Sequence, residues 1–278
     1  MALQKELDTA RELAEKAGKM LLAEAARVGG PRGSGQKAEV DDEIDAFLSE
    51  QLHQAFPEDT ILSEEGGLRA GKSDRVFLVD PHDGTRDFLL GRRETSISIA
   101  LLVKDRPVLG VVHAPFSTPL TGANGFLISW AEGQPLRDGD TVAALSAPPK
   151  SLTEQDRVLI STRVKGNQLE ENRLLLFPAR LETCPSIATR LALAASGRIT
   201  MGLTIHTLSP WDFAGGQALL RGVGSDLVLE DGFAHTWVDG CTPTREGRAY
   251  FGARDLSLAI SIAQRYQRHF FSQIGVSR

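Results

Sequence analysis

Two carboxylates, a proline, a glycine and a hydroxyl fall within six residues at Asp80-Pro81-His82-Asp83-Gly84-Thr85. Asp, Pro and Gly are ordinary β-turn residues, so the segment by itself reads equally well as a turn. Glu64, at the exit of the preceding apolar run, and Asp212, at the start of a later helical pattern, add weight to a chemical reading. Together they offer oxygen ligands from three separate elements. Two unit charges about 4 Å apart repel by about 4 kcal/mol at an effective dielectric of about 20, so four converging carboxylates call for a cation. Oxygen donors without a His or Cys cluster suit Mg²⁺ better than Zn²⁺. The six histidines show no HExxH or similar spacing. The side chains of His82, His113 and His206 read as structural or peripheral.

The elements that must hold these groups follow from hydrophobic spacing. Leu3, Leu7, Ala10, Leu13, Ala14, Ala17 and Leu21 recur at helical intervals, predicting an amphipathic helix that ends near Gly29-Gly30. Ile44, Phe47, Leu48, Leu52, Ala55 and Phe56 predict a second helix from Asp42, with Asp41 at its N-terminal cap. Thr60-Ile61-Leu62 reads as a strand delivering Glu64 and Glu65, and Val76 to Val79 as a buried strand delivering Asp80. Residues 95–103 and 108–113 read as a β-hairpin. A Pro-rich joint at 147–150 divides the chain into halves 1–146 and 147–278. Beyond it, Val158 to Ile160 reads as a strand, 186–196 as an apolar helix stopped by Gly197, 212–221 as a helix opening at Trp211-Asp212, and 255–270 as a closing helix.

Gly66 to Ser73 fits the G-x-x-x-x-G-K-[ST] phosphate-loop pattern, and the strand ending in Asp80 imitates its metal-binding partner. That loop needs a strand before it and a helix after it, because free N–H groups at the helix start cradle the phosphates. Here another strand pattern follows within two residues, and Asp80 lies seven residues past Ser73, too few for a crossover helix. The segment therefore reads as a solvated loop.

A chain of 278 residues can bury a sizeable core, and its net charge of −5 carries no footprint for nucleic acid or membrane. The partner expected is a small molecule. Cys184 and Cys241 are too few for a disulfide framework and read as buried thiols in a reducing compartment. No signal peptide or membrane span is discernible, so a cytoplasmic protein is expected.

Ser63-Glu64-Glu65, Asp80 to Thr85, and Trp211-Asp212-Phe213-Ala214-Gly215-Gly216, in that order and spacing, resemble the inositol monophosphatase superfamily, which includes 3'(2'),5'-bisphosphate nucleotidases and fructose-1,6-bisphosphatases. The similarity spans nearly the whole chain. It implies a layered α/β (α+β) sugar-phosphatase-like αβαβα sandwich with the site between its halves, and hydrolysis of a small phosphate monoester without a phosphoenzyme. Glu64, Asp80 and the His82 carbonyl would hold one Mg²⁺, and Asp80, Asp83 and Asp212 a second. A third, weaker ion would bridge through Glu64 and water. Gly84 and Thr85 would present backbone N–H groups to the phosphate, and Thr85, oriented by Asp41, would help deprotonate the attacking water. Asp42 is the alternative for that last role, because Lys37 to Asp42 is shorter than the family's segment and lacks its Thr.

Substrate residues follow the family less closely. Inositol-specific relatives place an acid where this chain has Ile205, next to His206. Ser161-Thr162-Arg163-Val164-Lys165 loosely resembles the strand end at which bisphosphate nucleotidases take a second phosphate. Arg163 and His206 are thus the substrate-facing candidates. A bisphosphate nucleotidase and a non-catalytic phosphate-binding regulatory homologue are the alternatives, and a homodimer and lithium inhibition are family expectations.

Overall fold

The computed structural model describes residues 3–239 and 241–271. The first part of the chain runs α1 (Gln4–Ala25), β1 (Gly33–Ser34), β2 (Lys37–Ala38), α2 (Glu39–Ala55), β3 (Thr60–Ser63), β4 (Gly67–Arg69), β5 (Arg75–Asp83) and α3 (Thr85–Leu89). It continues through β6 (Ser96–Val103), β7 (Arg106–Ala114), β8 (Phe126–Ala131), β9 (Arg137–Asp138) and β10 (Thr141–Val142). The remainder comprises β11 (Arg157–Ile160), α4 (Asn167–Leu176), β12 (Arg180–Thr183), α5 (Ile187–Ala195), β13 (Met201–Thr204), α6 (Pro210–Arg221) and β14 (Leu227–Leu229). A small ribbon of β15 (Trp237–Val238) and β16 (Thr242–Pro243) precedes β17 (Tyr250–Ala253) and α7 (Leu256–Phe271).

Eight strands form one sheet in the order β10-β9-β8-β7-β6-β5-β3-β4, and five form another in the order β12-β11-β13-β17-β14. Within β5, side chains alternate between two cores as a strand's period of two requires. Phe77 and Val79 join the core of α1 and α2, whereas Val76 and Leu78 join that of α5 and α6. Leu159, Leu227 and Tyr250 of the second sheet close over α5 and α6 from the other side, and α7 covers that sheet's outer face with Leu258, Ile262 and Tyr266. The result is a five-layered α/β fold with α5 and α6 in the middle layer.

The middle layer sits close because glycines permit it. A Cβ on Gly110 of β7 would stand 2.5 Å from the Gly215 carbonyl and 2.8 Å from the Ala218 Cβ. One on Gly215 would overlap Ser98 Oγ, and one on Gly216 would meet Leu191 Cβ at 2.5 Å. Both glycines of the 211–216 segment are thus spent on seating α6 against β6, β7 and α5, and Asp212 goes where α6 goes.

Several boundaries differ from the sequence reading. α1 ends at Ala25, short of the glycines, because the Glu24 carboxylate accepts from the Arg32 backbone N–H at 2.6 Å and from its guanidinium, drawing the chain into a turn. α2 begins at Glu39, so Asp41 is the third helical residue and not the cap; its carboxylate reaches back to the Ala38 N–H at 3.3 Å. α6 opens at Pro210 in the same way, with Asp212 Oδ2 accepting from the Ser209 N–H at 2.8 Å. An acid at the third position serves as one half of a capping box, which accounts for both shifts.

The 66–73 segment is no phosphate loop. Gly67–Arg69 pairs with β3, the Lys72 and Ser73 N–H groups donate to the Glu58 carbonyl at 2.8 and 2.9 Å, and β5 follows directly. Both cysteines are free thiols; Cys184 is buried as expected, whereas Cys241 is only half-buried. No helix among the described residues is long and apolar enough to cross a membrane.

Candidate active site

β3 and β5 are parallel neighbours with Ser63 opposite Val79, so Glu64, just past β3, comes beside Asp80 of β5. The ladder between β5 and β6 breaks between Asp80 and Asp83, whose partners are Ser98 and Ser96. Such an irregularity re-aims side chains at a strand end. Asp80 Oδ1 accepts from the His82 N–H at 2.9 Å, which holds the turn. Gly84 then adopts φ +106°, where its missing Cβ would be 2.8 Å from Thr95 Cγ2, and α3 begins at Thr85.

Asp83 is fixed from the middle layer. Its Oδ2 accepts from Ser186 Oγ and from the Ala188 N–H, both at 2.7 Å, at the start of α5. Asp212 enters from α6. Glu64, Asp80, Asp83 and Asp212 thereby line one cavity of about 490 Å³ together with His82, Gly84, Thr85, Arg163, Arg190 and His206. Among the described residues no three His, Cys, Asp or Glu side chains are gathered tightly enough to hold a metal ion as they stand, so the four acids share a cavity without forming a closed cage.

The acids of that cavity are held above the usual carboxylate range. Burial pushes the Glu64 carboxyl up to about 7, reinforced by the charges of Asp83 and Glu65. Asp80 is raised well above the usual carboxylate range, first by burial and then by Glu64, Asp83 and Asp212. Burial also raises Asp83, and burial with the Asp83 charge raises Asp212. Each acid is therefore hard to ionise beside the others, and a divalent cation inverts that balance. The donor set is all oxygen, which fits Mg²⁺.

Asp41 is buried behind Thr85, outside the cavity lining. Its Oδ2 lies 2.9 Å from Thr85 Oγ1, which can donate either to it or to the His82 carbonyl at the same distance. Between the two candidates for this contact the structure selects Asp41, because Asp42 is exposed and paired with Lys37 at 3.0 Å.

The family model described as the inositol monophosphatase family matches residues 2–260. The chain belongs to the inositol monophosphatase family. It is 29% identical over 230 residues to inositol monophosphatase 3 of Solanum lycopersicum, covering 78% of this chain and 83% of that one. It is 31% identical over 192 residues to the Nus factor SuhB of Haemophilus influenzae, covering 66% and 68%. Among solved structures, an IMPase of Thermotoga maritima superposes with a TM-score of 0.76 at 24% identity, over 97% of this chain and 99% of the other. Membership supports a phosphatase of this superfamily.

Two features of this inositol monophosphatase family member escaped the sequence reading. Arg190 lies within α5, 2% exposed, with its guanidinium bonded to the Ser186 and Leu203 carbonyls. It lines the cavity beside Arg163 and His206, whose Nε2 is buried without a partner among the described residues. Burial lowers the His206 pKa, and the charges of Arg163 and Arg190 lower it further. The available signal was a lone charge inside an apolar helix. The second feature is the His82 ring, which is neither peripheral nor exposed: Nδ1 is 2.6 Å from Asp41 Oδ1 and Nε2 is 3.1 Å from Thr95 Oγ1.

Gly84 and Thr85 do line the cavity, but α3 has only five residues. A helix dipole sums over aligned peptides, so the phosphate affinity expected here rests on individual N–H groups and not on the helix.

Proposed function

We propose that the chain is a Mg²⁺-dependent phosphatase of a small phosphate monoester of the inositol monophosphate type, working in the cytoplasm as a homodimer on a metabolite and not on nucleic acid or membrane. The observation that carries this reading is one cavity of a family member lined by Glu64, Asp80, Asp83, Asp212 and Thr85, with Asp41 hydrogen-bonded to Thr85 behind it. Glu64, Asp80, Asp83, Asp212 and the His82 carbonyl would hold two or three Mg²⁺ ions. Bound there, Mg²⁺ acidifies water and stabilises charge on the attacking and leaving oxygens.

The chain's own residues supply the proton path and the orientation. Thr85 Oγ1 receives the proton of the attacking water while its own passes to Asp41 Oδ2. The ester oxygen takes a proton from solvent water once it has left, and Asp41, buried and tied to the start of α2, returns its proton through Thr85 to the hydroxide so formed. Backbone N–H groups of Gly84 and Thr85 orient the phosphate, and Arg163 and His206 face the organic portion of the substrate.

A second reading, a 3'(2'),5'-bisphosphate nucleotidase, is favoured by Arg190, because it and Arg163 give the same cavity two guanidinium groups suited to another anion. The experiment measures phosphate release from inositol 1-phosphate, 3'-phosphoadenosine 5'-phosphate and fructose 1,6-bisphosphate, with and without Mg²⁺. Preference for the first supports the primary reading, and preference for the second supports the nucleotidase. Binding of phosphate without turnover of any ester would favour a regulatory homologue, the direction in which the likeness to a Nus factor points.

A further inference from the structure

The Thr85–Asp41 pair is only as well aimed as the Asp41 carboxylate. A carboxylate turns readily about its last side-chain bond, a broad and roughly two-fold torsion. Asp41 Oδ2 is claimed by Thr85 at 2.9 Å and, weakly, by the Ala38 N–H at 3.3 Å. Oδ1 has one partner described, the His82 Nδ1 at 2.6 Å. An ionised carboxylate only accepts, so Nδ1 carries the proton, and the Thr95 hydroxyl can donate to Nε2 at 3.1 Å. Phe88 meets the imidazole edge-on at 4.6 Å, and Thr95 is itself buried against Gly84. The ring is therefore gripped on three sides and has no freedom to release Oδ1.

We propose that the His82 side chain is a positioning residue, holding the Asp41 carboxylate so that its second oxygen stays aimed at the Thr85 hydroxyl. The inference rests on the phosphatase reading. Packing alone does not account for the ring, because an apolar side chain would fill the space beside Phe88 and leave Oδ1 buried without a donor. The proton balance is simple. Water's proton goes to Thr85 Oγ1, Thr85's proton goes to Asp41 Oδ2 and later returns by the same route, solvent water protonates the leaving ester oxygen, and the His82 proton stays on Nδ1, donated to Asp41 Oδ1, throughout.

The test measures kcat and KM for p-nitrophenyl phosphate at saturating Mg²⁺ in the wild type, His82→Leu, His82→Asn and His82→Gln. Asn can present a donor where Nδ1 stands, whereas Gln reaches toward Thr95. Misaiming the pair should lower kcat about 100-fold in His82→Leu with KM little changed, and His82→Asn should recover most of the loss while His82→Gln does not. In an Asp41→Asn background His82→Leu should add less than about 3-fold, since both act through one contact. A proton spectrum of the protein should show a downfield imidazole N–H resonance that disappears in Asp41→Asn and persists in Thr85→Ala. Wild-type kcat in His82→Leu, equal losses in the Asn and Gln variants, or absence of that resonance would overturn the proposal. Should His82→Leu not fold, the Asn and Gln variants decide between the same outcomes. No phosphate release from the wild type would instead overturn the phosphatase reading itself, whatever the spectrum shows.

Discussion

Gly215→Ala tests whether the seating of α6 sets the position of Asp212. The added methyl would overlap Ser98 Oγ, while its next neighbours, Val112 Cγ2 at 3.5 Å and the Ile99 carbonyl at 3.6 Å, are at ordinary contact distance. Overpacking of this kind costs about 1–3 kcal/mol. Replacing a helical glycine by alanine returns about 1 kcal/mol, so the net loss should be up to about 2 kcal/mol. Ser98 Oγ is itself buried with no hydrogen-bond partner among the described residues, so Ser98→Ala should be neutral or slightly stabilising. Removing that oxygen also removes the overlap, and the double variant Ser98→Ala/Gly215→Ala should be about 1 kcal/mol more stable than the wild type. In thermal denaturation each kcal/mol corresponds to about 2–4 °C. Phosphate release should fall in Gly215→Ala and return in the double variant. A double variant as unstable as Gly215→Ala alone would refute the argument that Ser98 and Gly215 set the distance between α6 and the sheet.

Lys72→Ala should leave phosphate release and stability unchanged, since only an ATPase built on the 66–73 loop would lose activity; a large loss would revive that reading. Arg190→Met and Arg163→Gln should weaken turnover of substrates with a second anionic group by about 10-fold or more each, and that of simple monoesters much less, as steady-state kinetics on the two substrate classes would show. His235 is 2% exposed, both its ring nitrogens lack hydrogen-bond partners among the described residues, and burial pushes its pKa down to about 4, with the Arg245 charge adding to the shift. A depressed folded-state pKa means that stability is full above about pH 6.5 and is lost as the pH falls toward 4, by about 3 kcal/mol in total. Urea denaturation at pH 7 and pH 5 should show part of that loss in the wild type and less of it in His235→Phe; equal losses in both would exclude His235 as the cause.

Much of the candidate site was legible because its acids stand at strand ends and helix starts, which hydrophobic periodicity marks well. Glu64, Asp80, Asp83 and Asp212 share the cavity for that reason. The start of α2 was misread because an acid before a helical pattern looks like an N-cap, and only the backbone distinguishes the cap from the third helical position; α6 begins at Pro210, two residues before the 212–221 pattern. The parallel pairing that sets Glu64 beside Asp80 is a long-range contact with no local signature. Arg190 and the His82 ring were missed because their importance lies in partners from other elements, Leu203 for one and Asp41 with Thr95 for the other. The glycines of the 211–216 motif were visible as residues, but their purpose became clear only from Gly110, Ser98 and Leu191 facing them.

The most direct test strips divalent cations from the protein with EDTA, adds Mg²⁺ back in steps, and follows phosphate release from inositol 1-phosphate by the wild type, Asp83→Asn and Asp212→Asn. Activity absent after stripping, restored by Mg²⁺ in the wild type and not in either variant, is the predicted result. Release that survives stripping, or that both variants retain at the wild-type rate, would contradict the assignment of these carboxylates to a Mg²⁺-dependent phosphatase site.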